Sequence, residues 1–325
     1  METLADLGET ELLQRLKCYA PPGQFSDDTA LINTGATGLL VNSDVLVEGI
    51  HFSNCTVPPC DLGWRAVAAN VSDLICSGAD SVIGITVTLV APPSTPWSWV
   101  ASVYEGLQQA LKVCSAELLG GDCSAGKERL LAVTALGKAG LLHLHRGRAR
   151  PGDMLVTAGP HGLSRLGLAL LRSEVLPQGT TIPENLRCEA IRAHRRPSIN
   201  LDLVQSLLVT HPPGLPWRLA GTDSSDGLLK AVRSICHSSR CQAVLNRSCL
   251  PRASGWPAGG IWDHWCLEGG EDFEPVLSLP PSWAEAWLCD VPDAVCIGSM
   301  QTGPATAIWT SGEELADNLS FRHFQ

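Results

Sequence analysis

The chain has 325 residues, 45% of them apolar and 17% charged, with a formal net charge of −10. This is the length and balance of a soluble globular protein with room for two domains and a sizeable core. The acidic surface argues against DNA or RNA as the main partner, and the longest apolar stretch, Val82 to Pro92, is too short and interrupted to cross a bilayer.

The opening METLADLGETELLQRLKC carries acidic residues and no secretory pattern, so a cytoplasmic location is expected, with no membrane association. Residues 10–19 read as a helix, with Thr10 as its N-cap and Leu12, Leu13 and Leu16 on one face. A polar segment from Gln24 to Thr29 leads to a strand at Ala30–Ile32, a turn at Thr34–Gly38 and a strand at Leu39–Leu46. Helical spacing follows over Asp61–Ser77, then a strand over Ser81–Val90, a break at Pro92, Pro93 and Pro96, and a helix over Trp97–Ser115. A short strand at Ala116–Leu119 runs into Gly120-Gly121-Asp122, and another strand spans Leu130–Lys138.

The turn RARPGD at 148–153 marks a domain boundary, dividing the chain into 1–149 and 150–325. Beyond it come a strand at Met154–Thr157, a glycine-bearing loop, a helix at Leu163–Ser173 and a loop over 174–186. Helices follow near 187–195 and 198–209, then a proline-rich break at His211–Leu215 and a helix from Leu228 to Ser238. The remainder alternates short strands and turns, with one helix near Trp283–Leu288. Strands and helices alternate in both halves, which gives an α/β or α+β fold.

The thirteen cysteines contain no C-x-x-C pair, and the five-residue spacing of Cys55/Cys60 and Cys236/Cys241 matches no common zinc site, so reduced thiols are expected. The acids carry more information. Asp27-Asp28, Asp44, Asp73, Asp122, Asp223 with Asp226, and Glu271-Asp272 fall mostly at the ends of apolar segments, among Ser, Asn, Thr and Gly. Hard oxygen donors of this kind suit magnesium, and adjacent glycines allow a backbone to approach phosphate. Each motif alone is equally a turn or a helix cap, as Asp226 before Gly227-Leu228 illustrates. A G-x-x-x-x-G-K-[ST] loop, a strand-borne G-x-G-x-x-G and a G-x-S-x-G elbow are all missing. Bare carboxylates repel phosphate, and divalent cations between the two remove that conflict.

Taken in order, SDDTALI (26–32), NSDVLVEGIHF (42–52), NVSDLICSGAD (70–80), YEGL (104–107), LLGGDCSAG (118–126), HRGRARPGD (145–153), TDSSDGL (222–228) and EGGEDFE (268–274) resemble the thiamine-monophosphate kinase family. That family is part of the aminoimidazole-ribonucleotide synthetase-like group. The resemblance spans nearly the whole chain. It implies a two-domain fold whose N-terminal sheet forms a barrel across a homodimer. It also implies ATP as co-substrate, thiamine monophosphate as acceptor and several magnesium ions.

By resemblance the metal ligands and their neighbours are Asp28, Asn42, Ser43, Asp44, Asp73, Asp122, Asp223 and Asp226. Nucleotide contacts are Tyr104, Gly121, Asp122, Arg146 and Ser225, and substrate contacts are His51, Glu271 and Phe321. No covalent nucleophile is implied. The chain departs from the family pattern at Ser26, Ser43, Cys123 and the loop GPHGLSRLGL (159–168).

The basic strip His143, His145, Arg146, Arg148 and Arg150 is read either as a hairpin edge or, at Arg146, as a phosphate contact. The segment His194-Arg195-Arg196-Pro197 is read as a helix end or a phosphate contact. His211, His237 and His264 are not expected to be ligands. Trp97, Trp99, Trp283 and Trp287 are read as packing residues rather than a base-stacking site. Two further functions stay open: another ATP-using enzyme of the same group, acting on an amide, selenium or carbamoyl substrate, and a nucleotide-binding regulator without turnover.

Overall fold

The computed structural model describes residues 4–19, 27–33 and 38–315. Five strands, β1 (Ala30–Asn33), β2 (Gly38–Val47), β3 (Ala79–Ala91), β4 (Glu117–Ala125) and β5 (Leu130–Ala139), form one sheet in the order β1-β2-β5-β3-β4. All its pairings are antiparallel except β3 with β4. Alternation sets the faces: Leu131, Val133 and Ala135 of β5 are fully buried while their neighbours are not.

The buried face is covered by α2 (Pro59–Cys76) and α3 (Trp97–Val113). These helices cross at glycine. A Cβ added to Gly63 would lie 2.0 Å from the Val103 carbonyl oxygen, and one on Gly106 1.8 Å from that of Cys60, so only hydrogen fits at the crossing. The opposite face of the sheet carries half-exposed Val45, Ile83 and Leu119, and every residue of β4 is exposed. The sheet is open in the single chain, with β1 and β4 as its edges.

The second sheet holds β6 (Met154–Thr157), β7 (Ala220–Asp223), β8 (Gln242–Leu245), β9 (Pro275–Leu279), β10 (Val295–Gln301) and β11 (Ala307–Trp309), ordered β11-β8-β10-β6-β9-β7. Around it lie α4 (Leu163–Leu171), α5 (Glu184–Arg195), α6 (Leu203–Val209), α7 (Leu228–Ser239), α8 (Gly260–Glu268) and α9 (Pro281–Asp290). One apolar cluster joins the two layers, running from Leu74 and Val133 through Leu144 to Val156, Leu277, Trp283 and Trp287. Among the described residues no helix is long and apolar enough to cross a membrane.

The structure differs from the sequence reading at several places. The first helix, α1, spans Leu4–Leu16 and ends in a 3-10 turn at Lys17–Tyr19, so Thr10 is interior rather than a cap. The strand expected to stop at Leu119 continues to Ala125, because pairing with β3 carries the Gly-Gly-Asp segment along. The helix α5 starts at Glu184, just after Pro183, three residues earlier than expected, so the loop over 174–186 ends at Pro183. The helix α6 begins only at Leu203. The helix α8 was not expected; its mixed Gly-Ile-Trp-Asp-His-Trp sequence carries no clean periodicity, and tertiary burial of Trp262 and Cys266 stabilises it.

Replacing Gly106 by Val is expected to destabilise the fold by about 1–3 kcal/mol through overpacking at the crossing. A urea unfolding midpoint equal to that of the native chain would show that the helices separate without penalty.

Candidate active site

Asn42 and Asp44 are alternate residues of β2 and project from the same face of the sheet. Asn70 and Asp73 lie one turn apart on α2 and meet them there. The Asn42 amide donates to Asp73 Oδ2 at 2.8 Å and to Asn70 Oδ1 at 3.3 Å. Asp223 terminates β7, and its carboxylate accepts from Ser72 Oγ at 2.7 Å and from Ser225 Oγ at 2.7 Å. Asp28 enters from the segment before β1 and accepts from Thr222 Oγ1 at 2.7 Å. Asp28, Asp73 and Asp223 each place one carboxylate oxygen within 4.8 Å of the others.

With Asp226, whose charge also acts on Asp44 and Asp73, five acids crowd one place. Burial, then Asp223 and Asp44, pushes the Asp73 carboxyl well above its usual range. Burial, then Asp223 and Asp226, pushes Asp44 up to about 6. Burial also raises Asp223, against the hydrogen bonds from Ser72 and Ser225. The cationic group that reaches Asp28 is Arg146, from a 3-10 turn at Arg146–Arg148. Its guanidinium is paired with Asp28, donates to Thr222 Oγ1 at 3.1 Å and lies 3.8 Å from Asp27.

Beside this cluster the loop 268–274 carries Glu271, whose backbone N–H donates to the Ser225 carbonyl at 2.6 Å. Glu271 and Phe273 both adopt left-handed conformations, φ +60° and +56°, a strain that a loop keeps only when its surroundings hold it. Asp272 supplies that hold by accepting from the backbone of Gly162 at 2.7 Å and Ser164 at 3.1 Å. Fully buried Arg65 of α2 is ion-paired to Glu271 and also donates to the His194 carbonyl. Burial works to raise Glu271, but Arg65 overrides it and holds the carboxyl below its usual range. His51 lies close enough to contribute to that lowering, and its Nδ1 accepts from the Val47 N–H at 3.1 Å.

The structure thus gathers Asp28, Asn42, Asp44, Asp73, Arg146, Asp223, Ser225 and Asp226, with His51 and Glu271 alongside. Asp226 forms an exposed pair with Lys230 at 2.7 Å, and Gly227 rather than Asp226 takes the N-cap position of α7. Ser43 turns to the opposite face of β2, where its hydroxyl donates to the Val133 carbonyl at 3.1 Å and accepts from Thr134 at 3.2 Å. Its side chain does not join the acids.

Tyr104, Gly121 and Asp122 also stand apart. Asp44, Val133, Val87 and Gly121 form one row across β2, β5, β3 and β4. Gly121 is therefore three strand spacings from Asp44, roughly 14 Å. Tyr104 lies near Cys123 at that same edge. Gly121 has φ +152°, and a Cβ there would lie 1.8 Å from the Val87 carbonyl oxygen. Phe321 lies outside the described residues.

Sequence reasoning missed Arg65, Asn70, Ser72 and Thr222 as site residues. Arg65 carried a usable signal: it is the only basic residue within α2, seven positions before Ser72 on the same helical face. The His194–Pro197 segment is structural. Arg195 donates to the Thr56 carbonyl at 3.0 Å, and Arg196 pairs with Asp61 and lies over the Trp64 ring. His194 itself is buried and pushed down to about 3, first by burial and then by Arg65. Trp283 and Trp287 are fully buried and Trp99 nearly so, as expected of packing residues, whereas Trp97 is exposed.

Residues 26–139 match the family model described as AIR synthase related protein, N-terminal domain. The thiamine-monophosphate kinase of Prochlorococcus marinus is 53% identical, over 99% of this chain and 98% of that protein. The chain belongs to the thiamine-monophosphate kinase family. A second member, from Synechococcus elongatus, is 42% identical over the same shares of both chains. A solved structure described as AaThiL complexed with AMPPCP and TMP superposes with a TM-score of 0.86 at 26% identity, covering 99% of each chain. The mixed α/β architecture with two sheets is that of the family.

Three carboxyls have raised values: Asp44, on an exposed stretch of β2, at about 6, and the buried Asp272 and Glu274 at about 7 and about 8, each through desolvation first. A carboxyl raised in the folded state stabilises the fold below its unfolded value near 4, and that contribution is lost as pH rises through the folded value. Without metal, stability is therefore expected to fall between pH 4 and 8. Glu274→Gln should flatten the upper part of that decline in guanidinium midpoints measured at pH 6 and 8. An unchanged slope would refute the assignment to Glu274.

Proposed function

We propose that this chain transfers the γ-phosphoryl group of ATP directly to a phosphate oxygen of thiamine monophosphate, giving thiamine diphosphate and ADP. The observation that carries this reading is the convergence of Asp28, Asp73 and Asp223 within 4.8 Å, in a chain whose sequence has no G-x-S-x-G nucleophile elbow. The acceptor oxygen is already ionised at neutral pH, so the site needs alignment and charge neutralisation rather than proton abstraction.

The donor set fits magnesium: close-set carboxylates, no sulfur in the cluster, and an Asp73 carboxyl driven up by burial and then by its acidic neighbours. Asp28, Asp73 and Asp223 would hold it, with Asn42, Asp44 and Asp226 adjacent. Bound there, magnesium supplies the positive charge that lets two phosphate-bearing anions share an acidic site. Arg146, paired here with Asp28, is placed to transfer its guanidinium to a nucleotide phosphate when Asp28 takes a metal. Glu271, kept ionised by Arg65, presents a carboxylate to the cationic thiamine moiety, with His51 beside it.

We infer further that the enzyme works as a homodimer in the cytoplasm, with the domain boundary at 149/150. The exposed apolar face of the N-terminal sheet and the uncovered β4 suit a barrel closed by a second copy. Such closure would supply the partner's Tyr104, Gly121 and Asp122 to the acid cluster, which one chain holds roughly 14 Å from its own.

The assay is purified protein with ATP, magnesium and thiamine monophosphate, with thiamine itself as the control acceptor. Asp44→Asn and Asp122→Asn are each expected to lower turnover by orders of magnitude with the fold intact. Refolded together, the two inactive variants should regain roughly a quarter of native turnover, because half the dimers then hold one intact site. Near-native activity of both single variants would remove the metal assignment. Inactive single variants with no recovery on mixing would place Asp122 in the site of its own chain.

A further inference from the structure

The turn that sends Arg146 into the acid cluster also lines a second cavity. This cavity, of about 640 Å³, is bounded by Arg148, Arg150, Arg218, Trp217, Leu215 and Pro280. None of these residues belongs to the acid cluster. Its size is that of a small-molecule site.

Three arginines around one cavity is an unusual concentration in a chain of net charge −10. Asp153 neutralises Arg218 through a two-pronged pair at 2.6 and 2.7 Å. Arg148 donates to the His143 carbonyl at 2.9 Å and keeps its charge. Among the described residues, no hydrogen bond or ion pair engages the Arg150 guanidinium, and the residue is exposed. The cavity therefore retains a positive excess.

Trp217 adds a flat apolar surface to that charge. It is 45% exposed, and one face is stacked on His211 with centroids 3.5 Å apart and planes at 13°. His211 in turn meets the fully buried Trp283 edge-on at 4.6 Å. The indole is thus held in place before any ligand arrives, which limits the ordering entropy lost on binding.

We propose that this cavity is a second ligand site, for a phosphorylated heteroaromatic compound whose ring lies against Trp217 and whose phosphates face Arg148 and Arg150. Aromatic stacking and guanidinium–phosphate pairing are the two interactions the lining offers. A ligand held by Arg148 would tether the Arg146–Arg148 turn, so occupancy of this cavity is coupled by the backbone to the group that reaches Asp28.

Equilibrium dialysis of the full chain in EDTA tests this directly, because without metal the acid cluster repels phosphate. The probes are thiamine diphosphate, ADP and inorganic diphosphate. The choice of thiamine diphosphate rests on the proposed reaction, but the readout is binding alone and does not depend on turnover. One site per chain is expected. The two ring-bearing probes should bind at least about tenfold more tightly than diphosphate, and the tighter of them identifies the source. Arg150→Ala with Trp217→Leu should weaken binding at least about tenfold, while Asp223→Asn should leave it unchanged. Absence of binding in EDTA would overturn the proposal. So would equal affinity for all three probes, binding indifferent to the Arg150 and Trp217 changes, or loss of binding in Asp223→Asn.

Discussion

The mutual repulsion of carboxylates that the fold forces together is the constraint on which the rest of this structure depends. Asp73 and Asp223 are held in place by hydrogen bonds from Asn42 and Ser72, and both are pushed up, first by burial. A fold gains nothing in stability by gathering like charges in a desolvated place. It keeps such an arrangement when a ligand of opposite charge completes it. In the free chain Arg146 partly fills that role through Asp28 and Thr222.

Positions far apart in sequence are brought to this point by both layers. Residues of β2 and α2 come from the first sheet and its helix, and Asp223 with Glu271 from the second. The shared apolar cluster from Leu74 through Leu144 to Leu277 fixes the layers against each other. Arg65 crosses the same junction as a charge, linking α2 to Glu271 and to the end of α5. Losing Glu271 would leave the fully buried Arg65 charge without its ion-pair partner. Arg65 thus has a structural role in addition to holding Glu271 ionised.

Much of this was legible in the sequence because its physics is local. The strands β1, β2, β3 and β5 and the helices α2 and α3 follow apolar periodicity, and their expected limits lie within a few residues of those observed. The acid motifs were visible as Asp residues at the ends of apolar runs. What the sequence did not disclose depends on tertiary placement. The hydroxyl of Ser43 neighbours two site residues in sequence yet faces away, because alternation along β2 puts it on the other side of the sheet. Asp122 carries a motif as clear as that of Asp44, but strand order, which no periodicity encodes, puts β4 at the opposite edge from β1. Arg65 is the one basic residue of α2, and only the fold supplies its partner 206 positions later.

The central claim is that the acid cluster is a magnesium site whose acids must lose protons to bind. Isothermal titration of the nucleotide-free chain with magnesium, at pH 6 in two buffers of different ionisation enthalpy, measures both binding and proton release. With Asp44 raised to about 6 and Asp73 raised well above its usual range, each by burial first, the account predicts saturable binding, net proton release, and loss of both in Asp73→Asn. Binding without proton release, or binding unaffected by that substitution, would contradict it.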